Sequence, residues 1–163
     1  MICLGTGNFG TSTSKQEAFR IMDRYAELGG TMFDTANVYA RWGKEKDNLS
    51  EQYIGEWLRE RKAKDRIVVA TKGGHYDLDT PAISRVRKDC IRKDLEESLQ
   101  ALGLEQIELY WIHKDDRSIP VEEFVDWMEE LVKEHNLLTI TWITPLGICI
   151  ESSDSLMLFR LLD

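Results

Sequence analysis

Ile67-Val68-Val69-Ala70-Thr71 is the segment of this 163-residue chain from which the fold class follows most directly. The segment is short, continuous and rich in β-branched residues, which is typical of a strand covered on both faces. Strands of that kind belong to parallel sheets with helices packed on the outside. The segment therefore predicts an α/β fold.

Three more strands are predicted around this segment, over residues 2–5, 31–34 and 107–113. Apolar residues at helical spacing fill the intervals between them. The residues predicted to start or end these helices are the capping-box pair Ser14 and Glu17, the cap Ser50, Pro120, and the glycines Gly29, Gly30 and Gly103. Four strand–helix units in succession predict parallel strands with outer helices.

Residues 135–163 differ from the body of the chain, residues 1–134. The tail carries only four charged residues, Glu151, Asp154, Arg160 and Asp163. It could hold a fifth strand over residues 137–142 and a short apolar helix over residues 155–162. We therefore predict a first region of four to five β/α units and a divergent tail.

Composition narrows the function classes. The formal charge of −8 argues against nucleic acid or an anionic membrane surface as the main partner, because both are polyanions. No 18-residue apolar run is present, and residues 1–10 do not resemble a signal peptide. Cys3, Cys90 and Cys149 are scattered, which disfavours a disulfide framework or a metal site and makes the cytoplasm the expected location.

Two short motifs have competing interpretations. Residues 5–10 match GxGxxG with Asp34 downstream, but a dinucleotide-binding motif needs a helix that opens at its third glycine, and Thr11-Ser12-Thr13-Ser14 follows here. A plain glycine loop at a strand end is the favoured alternative. Tyr110 and Lys114 have the spacing of a catalytic helix pair, but on a strand they lie about 13 Å apart. Tyr110 is therefore expected to be a packing residue.

Four polar residues fall at or just after predicted strand ends: Asp34, Tyr39, Lys72 and His113. In a parallel barrel these ends converge on the face that carries chemistry. Each residue alone has an ordinary structural explanation as a turn, packing, solvated or buried residue. Their combination at three successive strand ends favours a shared site.

These four groups complement one another for the reduction of a carbonyl group. A free tyrosine is a poor acid at neutral pH, and a nearby ammonium makes it a better proton donor. A carboxylate holds that ammonium in place, and a histidine can orient the carbonyl oxygen through a hydrogen bond. Tyr39, Lys72, Asp34 and His113 supply one group of each kind.

Residues 2–134 resemble the aldo-keto reductase family. The resemblance rests on residues 4–10, on Phe33-Asp34-Thr35-Ala36-Asn37-Val38-Tyr39, on Ser50-Glu51, Ile54-Gly55 and Trp57-Leu58, on Ala70-Thr71-Lys72, Asp94-Leu95 and Ser98-Leu99, on residues 107–113, and on Glu129-Glu130-Leu131-Val132. It implies a (β/α)8 barrel, of which four to five units are present, that binds NADP, or alternatively NAD, without a Rossmann fold.

The same resemblance implies residue roles and a small-molecule carbonyl substrate. It makes Tyr39 the general acid, Lys72 its tuning partner and His113 the orienting group, with Asp34 paired to Lys72. Gly7, Asn8 and Asp34 would lie near the nicotinamide. Trp42 would line the substrate pocket, although an ordinary exposed loop aromatic is an equal alternative.

The chain departs from the family pattern after residue 134. The strand ending in Ser-Asn and the basic loop that grips the adenosine phosphate are absent. The expectations are a truncated product with a shifted or replaced tail, weak NADPH binding, and self-association through exposed sheet edges. An NADP-binding regulatory protein or a non-catalytic remnant is the alternative to an enzyme.

Overall fold

The computed structural model describes residues 2–135, 140–142, 149–153 and 156–160, with side chains described through residue 134. The elements follow in chain order: β1 Leu4–Gly5, α1 Lys15–Glu27, β2 Met32–Asp34, α2 Leu49–Glu60, β3 Val68–Gly73, α3 Lys88–Leu102, β4 Leu109–Ile112, α4 Val121–His135, β5 Ile140–Trp142, β6 Cys149–Ser153 and β7 Leu156–Arg160.

All seven strands form one sheet in chain order. Strands β1 through β5 are parallel to one another, and α1 to α4 connect them. Strand β6 is antiparallel to β5. Parallel strands in sequence order with outer helices are the arrangement of a (β/α)8 barrel. The predicted α/β class and partial barrel are confirmed, and the chain contributes four complete units to it.

The strands that follow β5 pair differently from those before it. A fifth strand is present over Ile140–Trp142, and residues 137–139 of the prediction lie outside the described residues. The predicted helix over residues 155–162 is wrong, because Leu156–Arg160 is a strand antiparallel to β6. The periodicity of a short apolar run cannot distinguish a helix from a strand. Here the segment forms a strand because it pairs with β6.

The register of the parallel strands divides their side chains between two faces. Phe33 pairs with Val69, and both are fully buried on the outer face under the helices. The Phe33 ring lies 5.3 Å from the ring of Trp57 on α2. On β4, Tyr110 and Ile112 are likewise fully buried. The intervening residues of each strand therefore face the inside of the barrel.

The first helix begins and ends as predicted. The Glu17 N–H donates to Ser14 Oγ at 3.3 Å, and Ser14 is the N-cap of α1. Gly29 follows the helix with φ of +83°, a conformation that favours glycine. Because α1 begins at Lys15 rather than at Gly10, the dinucleotide-binding reading of residues 5–10 is wrong.

Ser50 does not cap α2, contrary to the prediction. The helix begins at Leu49 with Asn48 at its N-cap, so Ser50 lies inside the first turn. Its hydroxyl donates to the Thr6 carbonyl at 3.0 Å and lies 3.0 Å from Thr35 Oγ1. The serine thus ties α2 to the ends of β1 and β2, a long-range role that local sequence does not reveal.

Two glycines allow close approaches behind the sheet. A Cβ added at Gly55 on α2 would overlap the Ala101 carbonyl oxygen of α3, so the two helices pack backbone to backbone. A Cβ added at Gly73, the last residue of β3, would overlap the hydroxyl of Tyr110.

No helix in the described part of the chain combines the length and apolar composition needed to cross a membrane.

Glu51 is a fully buried carboxyl group between α2 and β3. The Thr71 hydroxyl donates to its Oε1 at 2.5 Å, and Asn48 Nδ2 donates to its Oε2 at 2.9 Å. Burial raises the pKa of Glu51 from 4.5 to about 7, even though these hydrogen bonds favour the charged form. The carboxyl therefore keeps its proton in the folded chain at pH values where an unfolded chain has lost it.

We expect Glu51→Gln to raise the free energy of unfolding, relative to the wild type, more at pH 8 than at pH 5. Below pH 4.5 both the folded and the unfolded chain hold the proton, so Glu51 costs no stability there. Between pH 4.5 and about 7 only the unfolded chain releases it, which costs the wild type roughly 3 kcal/mol by pH 8. Urea unfolding at pH 5 and pH 8 measures the difference between variant and wild type.

The exposed Glu105 provides the matched control. Glu105→Gln should change the free energy of unfolding equally at the two pH values. An equal change for Glu51→Gln as well would contradict the assignment of a buried proton to Glu51.

Candidate functional site

Three neighbouring parallel strands bring polar side chains to their carboxyl ends. Asp34 is the last residue of β2, Lys72 lies next to the end of β3, and His113 directly follows β4. Tyr39 lies in the loop after β2. In barrels the chemistry is carried at this end of the strands, so all four sequence-predicted residues lie at the appropriate face.

The Lys72 ammonium is the centre of this cluster. It donates to Asp34 Oδ2 at 2.7 Å, to the Thr35 carbonyl at 2.6 Å and to the Tyr39 hydroxyl oxygen at 3.3 Å. These three bonds use all three ammonium donors. Only 9% of the Lys72 side chain is exposed, whereas a third of the Asp34 side chain is. The charge is therefore held in one position between a carboxylate and a phenol.

Backbone hydrogen bonds anchor His113 and the segment that precedes Tyr39 to the neighbouring strand. The Thr35 N–H donates to the Ala70 carbonyl at 2.9 Å, and the Asn37 N–H donates to the Lys72 carbonyl at 3.0 Å. These bonds continue the ladder between β2 and β3 beyond the end of β2. The His113 N–H likewise donates to the Gly73 carbonyl at 2.8 Å. The site residues are thus anchored to the sheet rather than carried on free loops.

His113 has a neutral ring beside Tyr39. The two ring centroids lie 6.1 Å apart with the planes at 77°. Burial, followed by the charges of His75, Lys72 and Lys114, lowers the pKa of His113 to about 3. At neutral pH the His113 imidazole carries one N–H and can donate one hydrogen bond. It does not carry the second proton that a histidine needs to act as a general acid.

Sequence reasoning missed two aromatic residues of this face, His75 and Tyr76. The His75 ring lies 4.9 Å from the ring of His113 and 4.1 Å from the ring of Tyr76. On the opposite side, the exposed Trp42 lies 5.9 Å from Tyr39. The sequence feature that could have identified them is their position directly after β3, with His75 three residues after Lys72. Five rings therefore form a continuous wall.

Tyr110 and Lys114 do not cooperate. Tyr110 is fully buried on the outer face of the sheet, where its hydroxyl donates to the Ile91 carbonyl of α3 at 3.4 Å. Lys114 instead lies with its Nζ 5.1 Å from the centroid of the Tyr76 ring. The expectation that Tyr110 is a packing residue is confirmed.

Gly7 and Asn8 lie in the loop after β1, and Gly7 lies next to Tyr39. A Cβ at Gly7 would stand 3.8 Å from Tyr39 Cε2, so a larger side chain at this position would cover the phenol from the β1 side. Asn8 is exposed, and its backbone carbonyl accepts from the N–H groups of Thr11 and Thr13 at 3.2 and 3.0 Å.

Comparison with known proteins identifies relatives over most of the chain. The sequence model of the aldo/keto reductase family matches residues 1–139. An aldo-keto reductase from Bacillus halodurans, solved in its holo form, superposes with a TM-score of 0.71 at 30% sequence identity. The match covers 88% of this chain and 46% of that structure.

Several curated proteins are similar in sequence. An uncharacterised oxidoreductase of Bacillus subtilis is 37% identical in an alignment of 142 positions, and the alignment covers 81% of this chain and 41% of that protein. Norsolorinic acid reductase of Emericella nidulans is 34% identical over 85% of this chain and 38% of its own length. A probable aryl-alcohol dehydrogenase of Saccharomyces cerevisiae is 31% identical over 78% and 39%. The chain thus spans about two fifths of these relatives.

We expect Asp34→Ala to destabilise the chain at pH 7 by about 2 kcal/mol, because it leaves the buried Lys72 ammonium without its carboxylate. The effect is below that of a fully buried pair, since Asp34 is partly exposed. Asp34→Asn keeps an acceptor and should cost about half as much. Urea unfolding measures both values.

The double variant Asp34→Ala with Lys72→Met removes both charges and should recover part of the loss. Asp65→Ala, at an exposed turn before β3, should change stability by less than about 0.5 kcal/mol. An Asp34→Ala loss no larger than that of this control would show that the ion pair contributes nothing to the fold.

Proposed function

Because this chain belongs to the aldo/keto reductase family, we propose that it reduces an aldehyde or a ketone to the alcohol with a nicotinamide cofactor. The observation that carries the proposal is the Lys72 ammonium, which joins Asp34 to the Tyr39 hydroxyl beside the neutral ring of His113. A purely structural ion pair has no need of a phenol and an imidazole at the same strand ends.

The proposed cofactor is NADP, with NAD as the alternative. Gly7, Asn8 and Asp34 would hold its nicotinamide end. The close approach of Gly7 to Tyr39, and the Lys72 ammonium that bonds to both Asp34 and Tyr39, support this assignment. The holo form of the Bacillus halodurans relative supports a bound cofactor in this family. When bound, such a cofactor supplies a hydride to the carbonyl carbon.

The chain's own residues would supply the proton and the orientation. Tyr39 transfers its hydroxyl proton to the carbonyl oxygen as that oxygen gains negative charge. The Lys72 ammonium stabilises the negative charge that remains on the phenol oxygen, and Asp34 keeps the ammonium in place. His113, neutral at pH 7, donates a hydrogen bond to the carbonyl oxygen and orients it towards Tyr39.

We further propose an aryl aldehyde or aryl ketone as the substrate class. The wall of rings from Trp42 to Tyr76 offers flat apolar faces beside the reacting groups. One relative carries a name that indicates an aromatic substrate, a probable aryl-alcohol dehydrogenase. Trp42, half exposed at the outer end of the wall, is the residue proposed to close over the substrate.

We expect Tyr39→Phe to lower kcat for the NADPH-dependent reduction of 4-nitrobenzaldehyde by a factor of about 10² or more. The phenylalanine keeps the ring and its contacts but removes the only hydroxyl next to Lys72 in the described residues. NADPH consumption at 340 nm measures the rate, and cofactor fluorescence measures binding, which should be unchanged.

Tyr53→Phe on α2 is the matched control and should keep full activity, because Tyr53 packs against the core away from the strand ends. Cofactor binding without turnover by the wild type would favour a regulatory NADP-binding role instead. Neither binding nor turnover would leave a non-catalytic remnant as the explanation.

We also propose that the chain self-associates and acts in the cytoplasm. Within the described residues, β1 pairs on one side only, with β2, and Ile2 beside it is 83% exposed. An unpaired strand with an exposed apolar residue is a template for pairing with another chain. Cys3 and Cys90 are free thiols, which supports a reducing compartment.

We expect sedimentation to give a mass above the 18.9 kDa of one chain and rising with concentration. Ile2→Lys should lower that mass, because a charge at the sheet edge opposes pairing. Ile83→Lys, which charges a 62% exposed isoleucine in the loop before α3, should leave it unchanged. A single-chain mass at every concentration would refute self-association.

A further inference from the structure

The orientation of the His113 ring is not set by a hydrogen bond within the described residues. Its Nδ1 is buried and has no partner there. Only its backbone is anchored, through the bond from its N–H to the Gly73 carbonyl. The ring is instead contacted by two others, Tyr39 at 6.1 Å and His75 at 4.9 Å between centroids. Packing therefore has to fix a ring that the proposed reaction needs in one orientation.

His75 is itself firmly placed. Its Nδ1 lies 2.9 Å from the Tyr76 carbonyl oxygen, and because a carbonyl can only accept, Nδ1 carries the proton. The His75 carbonyl accepts from Arg85 Nε at 3.0 Å. The neighbouring Gly74 N–H donates to Asp94 Oδ2 at 2.9 Å, and Asp94 is also paired with Arg85. The segment that carries His75 is thus braced from α3.

We propose that His75 is a positioning residue for carbonyl reduction, whose ring holds the His113 imidazole in its oriented, neutral state. The proposal rests on the reductase function proposed above. His75 acts through His113 and needs no contact with the reacting atoms. This role explains why Arg85 and Asp94 hold the segment that carries His75, although His75 is not one of the four site residues.

The charges around the pair agree with this arrangement. His113 is surrounded by Lys72 on β3, His75 in the following loop, Lys114 beside it in sequence, and the uncharged Tyr39 after β2. Among the described residues, the charges that act on the His113 ring are those of Lys72, Lys114 and a protonated His75, and each of them disfavours a proton on His113. The His75 ring shields the His113 ring from water, and this burial is the largest cause of the lowered pKa of His113.

His75 stays neutral together with its partner at pH 7. Burial lowers its pKa from 6.5, the hydrogen bond to the Tyr76 carbonyl opposes this, and Lys114 and Arg85 act against the charge while Asp94 favours it. In acid, a proton on His75 would place a cation against the ring of His113. We therefore expect the activity to fall in acid through His75.

The test compares His75→Ala, which removes the ring, with His75→Phe, which keeps a ring and cannot be charged. His75→Ala should lower kcat for 4-nitrobenzaldehyde about tenfold at pH 7 with KM for NADPH unchanged. His75→Phe should stay within about threefold of the wild type and lose the acid limb of the pH profile. His135→Ala, which changes the third histidine of the chain at the end of α4, should match the wild type.

A second readout does not depend on turnover. The NMR signals of the His113 side chain, assigned by comparison with variants that each lack one histidine, report its protonation between pH 3 and 8. In the wild type the ring should stay neutral down to about pH 4. In His75→Ala the midpoint should rise by about one pH unit or more, because the ring loses both its cover and the repulsion from a protonated His75. In His75→Phe the rise should be smaller, because the cover remains.

Each outcome bears on one proposal. Wild-type kcat and wild-type His113 signals in His75→Ala would overturn the role of His75, as would a loss in His75→Phe as large as in His75→Ala. If the wild type turned over no carbonyl, the proposed function would fail, and the NMR comparison would still decide whether His75 holds His113. Thermal unfolding of each variant shows whether a loss reflects the site or the fold.

Discussion

The in-register parallel pairing of β2, β3 and β4 is the constraint on which the site depends. Asp34 pairs with Ala70, and Lys72 pairs with Trp111, so these positions share the inner face. Thr71 and Tyr110 take the alternate face and lie under the helices, fully buried. A shift of one residue would exchange the faces, placing Lys72 among the helices and Thr71 at the strand ends.

Polar groups behind the sheet help to fix that register. Thr71 bonds to the buried Glu51, and Ser50 bonds to Thr6 and Thr35. Each of these side chains has its partner on a different element, so a displaced strand would leave a polar atom buried without a partner, at a cost of about 1–3 kcal/mol each. The helices thus define where Lys72 can lie.

Much of the fold followed from local patterns, because β-branched runs, Ser14 and the glycines after helices act over a few residues. The placement of Tyr39 and Lys72 at strand ends was also local. Ser50 was misassigned because its partners lie 15 and 44 residues away. His75 was missed for a related reason, since nothing in the sequence shows which ring it meets. The division at residue 134 stays a prediction.

The glycine at the end of β3 also constrains the order in which mutations can accumulate. Because the Tyr110 hydroxyl occupies the space that a Cβ at Gly73 would need, a side chain at position 73 requires either a shift of the Tyr110 ring or a smaller residue at position 110. Tyr110 reaches Ile91 on α3, and the Gly73 carbonyl holds His113. The two positions are therefore an epistatic pair, through which changes on the outer face of the sheet limit how the inner face can evolve.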